Sequence, residues 1–294
     1  MSDAPATTVV APQRSVAQHL GSLWSYRELL ANLVRKELKV RYKNSSLGFL
    51  WSLANPALYL AVFTVVFQVV LRAGIPSYAI FLLSGLLAWN LFSTSLGAAV
   101  GSITGNASLV NKVYFPREIL PLAAIGANCV HFLLQATVLL VAIALSPISF
   151  DLAWLWLVAP ALAVLLVFTA ACAVFLACVN VYARDTQHLL ELLLLAWFWM
   201  TPIVYQWALP AEKLEENGFS PMLTLLNPMV PIVLALQRGL YGIVTTEEGT
   251  RMLPDESQLW YLQNLGIVGA VSVVLLLLAM RLFGRLEGDF AEEL

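Results

Sequence analysis

Six segments of this chain run for about 20 residues or more with almost no charge, at approximately 47–71, 77–104, 119–145, 152–182, 187–207 and 258–283. A helix rising 1.5 Å per residue needs about 20 apolar residues to cross ~30 Å of hydrocarbon. Lipid offers no partner to a free backbone N–H or C=O, so such segments are helical. Composition leaves little room for a soluble alternative. Charged residues make up 12% of the chain and hydrophobic residues 60%, with a mean hydropathy of +0.80, whereas a soluble domain carries about 25% charged residues. The expected fold is an all-α membrane protein with six transmembrane helices.

A further apolar stretch, 221–244, is broken by Pro221, Pro228 and Pro231 and carries Asn227, Gln237 and Arg238. Exposing that backbone to lipid is costly. It is expected to form short re-entrant or interfacial helices within an external segment of about 208–257.

Basic residues set the orientation, because they accumulate on the cytoplasmic side. On the opposite side stand Arg72, Lys213, Arg238 and Arg251, beside an acidic loop with Glu212, Glu215, Glu216, Glu247, Glu248, Asp255 and Glu256. All other Lys and Arg fall on one side, in residues 1–46, the loops after spans two and four, and the C-terminal end. Both termini are therefore expected in the cytoplasm, and a seventh span would break the pattern. Residues 1–22, rich in Ala, Thr, Val and Pro without a long apolar run, read as a flexible cytoplasmic tail with no cleavable signal peptide. Residues 286–294 read as a second cytoplasmic tail.

Three features stand out from the spans. Residues 23–46 contain an amphipathic helix, with Leu30, Leu33, Val34 and Leu38 on one stripe and Arg35 and Arg41 among its cations. Ser25 and Glu28 are spaced as a capping box. Such a helix suits the cytoplasmic membrane surface; the plainer reading is a basic flank of span one. The loop at about 105–119 is longer than a tight helix connection requires. It presents Leu109, Val110, Val113, Tyr114 and Phe115 with Lys112, Arg117 and Glu118. Apolar and aromatic residues rimmed by charge suit a protein-docking surface; the alternative is a loop packed on its own helix ends. Ser93, Gly97, Gly101 and Gly105 form a small-residue face on span two, suited to close helix packing.

Aromatic residues are frequent in the spans. Trp154, Trp156 and Trp207 read as interfacial anchors. Tyr59, Phe63, Trp89, Phe92, Trp197, Trp199 and Tyr205 are candidates for a channel wall, since ring faces suit the C–H faces of sugars; lipid-facing filler is the alternative. Glu191 stands at the inner end of span five, and ionisable groups at membrane depth are functional suspects; the plainer reading is a carboxylate at the inner interface within reach of Arg184 or His188. Cys129, Cys172 and Cys178 lie in apolar runs without ligand spacing, so no metal site or disulfide framework is expected. A net charge of −2 argues against nucleic acid. No GxxxxGK[ST] loop, HExxH or nucleophile elbow occurs, so neither ATP hydrolysis nor hydrolytic catalysis is expected in this chain.

The segments LVNKVYFPREILP at 109–121, RYKNSSLGFLWSLANP at 41–56, Arg184–Asp185 and TPIVY at 201–205, followed by Asn227–Pro228 and Arg238, resemble in order and spacing the permease subunit of ABC-type polysaccharide exporters. The resemblance covers about residues 25 to 285. It implies a homodimer forming a channel, joined by two copies of a nucleotide-binding ATPase subunit that carries the ATP and Mg. It implies that 105–119 is a coupling helix, that the amphipathic helix is a gate, and that spans one and five line the route. The implied substrate is a lipid-linked polysaccharide of O-antigen, teichoic acid, capsule or cell-wall galactan type, and the implied location is the bacterial cell membrane. Two alternatives remain at this point: an exporter of small drugs or lipids, and a membrane-embedded glycan polymerase or glycosyltransferase. The latter would need a catalytic acidic loop, and 211–257 has no DxD pattern.

Overall fold

In a computed structural model, which describes residues 25–43, 51–70, 72, 74–146, 152–246, 249 and 251–294, regular structure is helical apart from one isolated bridge, Thr245 to Arg251. The expected tail at 1–22 lies outside the described residues. The helices are α1 (Arg27–Tyr42), α2 (Trp51–Thr64), α3 (Tyr78–Val100), α4 (Ala107–Lys112), α5 (Ile119–Leu145), α6 (Leu152–Leu155), α7 (Val158–Tyr182), α8 (Thr186–Trp199), α9 (Ala208–Glu216), α10 (Met229–Leu240), α11 (Gln258–Leu286) and α12 (Phe290–Glu293).

Among the described residues, four helical stretches are long and apolar enough to cross a membrane: Tyr78–Val100, Ile119–Leu145, Leu152–Tyr182 and Gln258–Leu286. They match expected spans two, three, four and six. The expected first and fifth spans are less regular. α2 carries Pro56 and passes into a wider π turn over Val65–Val70. α8 stops at Trp199, short of the expected end at 207. Pro202 explains the stop, because proline disfavours helical backbone in the residue before it. The chain continues through Met200–Tyr205 without helix, its carbonyls taken up by Asn227, Gln237 and Tyr78. The Asn227 amide donates to the Met200 carbonyl (3.3 Å) and to Thr201 Oγ1 (3.0 Å), and its oxygen accepts from Trp197 Nε1 (2.7 Å) and the Met229 N–H (3.0 Å). An unsatisfied buried polar group costs about 1–3 kcal/mol. Asn227→Ala is therefore expected to destabilise the fold by roughly 2–4 kcal/mol, read as a lower Tm of the detergent-purified protein.

Residues 221–244 form a 3-10 turn, Pro221–Leu226, then α10. α10 is buried along nearly its whole length and packs on α3 and α7. Close approach is enabled at Gly239, where a Cβ would stand 2.9 Å from Val158 Cγ2 and 3.2 Å from the Trp154 carbonyl. The Gln237 amide donates to the Pro202 carbonyl, and the Arg238 guanidinium lies 3.9 Å from the centre of the Trp154 ring.

α3 is the axis of the bundle. Of its most apolar stretch 78% is buried, against 17% for α5 and 28% for α11. The outer helices keep apolar faces for lipid or partners. The glycine face of α3 does not serve as expected within one chain: a Cβ at Gly97 or Gly105 would meet nothing within 4 Å, and one at Gly101 only the end of Gln187.

Two hydrophobic cores result. The larger joins α3, α5, α7, α10 and the start of α11. The smaller joins Leu33 of α1, Val110 and Phe115 of the 105–119 loop, Ile119 of α5, Val174 and Cys178 of α7, Phe283 of α11 and Phe290 of α12. It lies at the end of the bundle where Lys112, Arg117, Arg184 and Arg285 cluster, here called the basic end.

Candidate functional site

α1 starts at Arg27 with Tyr26 before it and no side-chain cap, so the Ser25/Glu28 capping box is not what begins this helix. Its apolar stripe faces the bundle, with Leu33 buried and Leu30, Val34 and Leu38 half-buried, while Arg35 is exposed. The helix does not lie flat across the bundle end. It follows α5 inward: Val34 meets Gly126, the Arg41 guanidinium donates to Asn128 Oδ1 (3.1 Å), and Tyr42 Oη lies 2.7 Å from His131 Nδ1. His131 stands twelve residues beyond Ile119, about 18 Å along the helix. Polar side chains on α5 draw the basic end of α1 inward.

The loop at 105–119 divides into two faces, so its apolar residues do not all stand on the presented surface that the sequence suggests. Tyr114 is 82% exposed and Val113 51%, with Lys112 beside them. Val110, Phe115 and Glu118 are instead buried, Leu109 and Arg117 half-buried. The buried members anchor the segment in the smaller core; Tyr114 and its neighbours project from it. Lys36 Nζ donates to Asn106 Oδ1 (2.7 Å), joining α1 to the start of this segment. At the same end Glu191 is exposed and forms no ion pair with Arg184 or His188.

A cavity of about 790 Å³ opens between α1, α2, α3, α5 and α8. Its lining includes a run of touching rings: Tyr59 and Phe63 stack at 5.9 Å, Phe198 lies 6.3 Å from Phe63 and 5.6 Å from Trp89, and Trp199 stands beside it. The same lining carries polar side chains, Arg41, Asn90, Thr94, Asn128, His131 and Gln135. Of the seven expected channel aromatics, Tyr59, Phe63, Trp89 and Trp199 line this cavity and Phe92, Trp197 and Tyr205 do not. Phe92 is fully buried, stacked on Phe168 at 5.4 Å and edge-on to Trp197 at 5.2 Å. Trp197 is held by Asn227 and faces an apolar groove of about 750 Å³ on the other side of α8. Tyr205 Oη donates to the Trp199 carbonyl. Phe198 was missed because Trp197–Phe198–Trp199 fan over about 200° of helix, so their succession selects no face. The polar lining residues of α5 carry a legible signal: Asn128, His131 and Gln135 recur at i, i+3, i+7, one stripe of an otherwise apolar helix.

A docked basic helix, a loop that projects Tyr114 from a packed anchor, and a cavity between α2 and α8 are what this membrane bundle offers for interaction. The model of the ABC-2 type transporter family matches residues 28–241. This chain belongs to that family. Membership makes it the membrane component of a transporter, a multi-pass permease. Over 273 residues it is 36% identical to the O-antigen export system permease protein RfbA of Myxococcus xanthus, spanning 92% of this chain and 97% of that protein. It is 31% identical over 268 residues to the RfbA permease of Klebsiella pneumoniae, spanning 90% and 94%. A shorter match, 31% over 81 residues, reaches the polysialic acid transport protein KpsM of Escherichia coli, covering 27% of this chain and 31% of KpsM.

Proposed function

We propose that this ABC-2 permease exports a lipid-linked polysaccharide, driven by a separate ATPase subunit. The observation that carries the reading is the cavity between α1, α2, α3, α5 and α8, whose lining combines aromatic rings with hydrogen-bonding side chains. Sugars present C–H faces to rings and hydroxyls to polar groups, so a lining that mixes the two suits them better than it suits a small apolar solute. Full-length likeness to two O-antigen export permeases supports the same substrate class.

The remaining architecture follows the charge pattern and the packing. Six spans cross the membrane: the four long helices, α2 with its π turn, and α8 with its extension to Tyr205. α10 is a short re-entrant helix. Both termini and the basic end face the cytoplasm. Two copies form the channel, and exposed apolar residues on α2 (Leu58, Val62) and α8 (Leu192, Leu195) supply lateral faces for that pairing. α1 is the gate. Tyr114, Val113 and Lys112 meet a groove on the ATPase, two copies of which serve the dimer.

The test is export of surface glycan in cells expressing Trp199→Ala or Tyr59→Ala, with membrane insertion and ATPase association measured in parallel. An aromatic contact contributes about 0.5–1.5 kcal/mol beyond its area, so each variant is expected to lower the export rate by up to about tenfold. Unchanged glycan export by both variants, with a lowered efflux of small amphiphiles, would replace the polysaccharide reading with one of drug or lipid export.

A further inference from the structure

The C-terminal residues, expected only to form a tail, fold back onto the segment that projects Tyr114. α11 ends at Leu286, and after a turn α12 places Phe290 in the smaller core with no exposed surface. The Phe290 ring meets Phe283 of α11 edge-on at 5.2 Å and Tyr182 of α7 at 6.0 Å. Arg117, from the loop after α4, lies over the same ring at 5.7 Å and donates from Nη1 to the Glu287 carbonyl. Tyr182 Oη donates to the Leu286 carbonyl (3.0 Å). One buried ring and one guanidinium thus gather the basic ends of α7 and α11 around the loop between α3 and α5. A free tail has no reason to bury a phenylalanine among three other elements; losing its contacts would leave the loop held mainly by Val110 and Phe115.

We propose that Phe290 is a positioning residue for energy coupling: with Arg117 it clamps the Tyr114 loop to α7 and α11, so that a displacement imposed on the loop reaches those two helices together. This rests on reading residues 105–119 as the ATPase-coupling segment. Packed chains of side chains carry such coupling only if they move as a unit. The buried rings meet that condition, because close-packed interiors transmit displacement and do not absorb it.

The experiment compares Phe290→Ala, Phe290→Tyr and Arg117→Gln in membranes containing the full permease and its ATPase subunit. It measures permease abundance, ATPase co-purification, and export per ATP hydrolysed. Phe290→Ala is expected to lower abundance, as truncating a fully buried phenylalanine does, and, in the permease that accumulates, to keep ATPase co-purification per permease while export per ATP falls about tenfold, within the range that residues along a coupling path command. Phe290→Tyr, which keeps the ring, is expected to restore most of the ratio; a purely structural role would lower abundance and leave the ratio alone. If Phe290→Ala fails to accumulate, Arg117→Gln carries the test, since it removes the bond to Glu287 and leaves the ring core in place. An unchanged ratio in an accumulated variant overturns the proposal. Tyr114→Ala, run alongside, separates the two ideas. If it uncouples while Phe290→Ala does not, the clamp alone is lost. If neither uncouples, the coupling segment itself has been misassigned.

Discussion

Replacing Tyr114 with Ala is expected to abolish most export while leaving the protein folded and inserted. Tyr114 is 82% exposed and projects from a segment whose neighbours Val110 and Phe115 are buried. Truncating a solvated side chain removes little folding energy, so membrane abundance should stay at its unmutated level. An aromatic anchor at a protein interface is worth about 2 kcal/mol or more, which is roughly 30-fold in partner affinity. Phe115→Ala gives the opposite pattern. Its ring is 5% exposed in the smaller core, and truncating a buried phenylalanine costs about 3–5 kcal/mol. That variant should lose abundance and thermal stability first, and export in consequence. A Tyr114/Phe115 double substitution would mix the two effects, so the single variants, scored for both export and abundance, are the informative pair.

The second large effect concerns Gly126. A Cβ at that position would stand 2.8 Å from Val34 Cγ2 of the docked α1 helix, and real Cβ contacts do not reach that distance. Gly126→Val adds two further carbons to the clash. Overpacking of this kind costs about 1–3 kcal/mol, enough to lower the docked fraction of α1 by roughly 5- to 100-fold. Release of α1 would break the Arg41–Asn128 and Tyr42–His131 contacts and open the polar edge of the cavity. The expected readouts are faster trypsin cleavage at Arg35, Lys36 and Lys39 and reduced export. Val34→Ala in the same chain should restore much of both, because it removes the atom that clashes; the two substitutions should be strongly non-additive. Unchanged proteolysis in Gly126→Val would mean that the helix docks without this contact.

The membrane class, the four long spans and the amphipathic α1 were legible because length and periodicity carry them directly. Irregular features were legible only in part. The proline pattern at 221–244 foretells short helices, yet the end of α8 ahead of Pro202 is masked in the sequence by an apolar run that continues past it to Trp207. Burial was the least accessible quantity. Phe115 and Tyr114 are adjacent and chemically alike, and only the tertiary fold sends one inward and the other outward. The same holds for the α8 aromatics, where Asn227 fixes Trp197 on one side and leaves Phe198 and Trp199 to the cavity. Phe290 gave no periodic signal at all: its short helix is held by contacts from α7, α11 and the 105–119 loop, which are distant in sequence. The glycine spacing on α3 suggests a surface for close approach, but among the described residues no helix of the same chain takes it.

The central claim is that energy enters this permease from a separate ATPase through the projecting face at Tyr114. It is tested most directly by placing a photo-reactive phenylalanine analogue at position 114 in the intact complex and, as a control, at position 215 in α9, then irradiating with and without ATP. The account predicts a cross-link from position 114 to the ATPase subunit whose yield changes with ATP, and none from position 215. A cross-link to the ATPase from position 215 with none from 114 would contradict both the orientation and the coupling route.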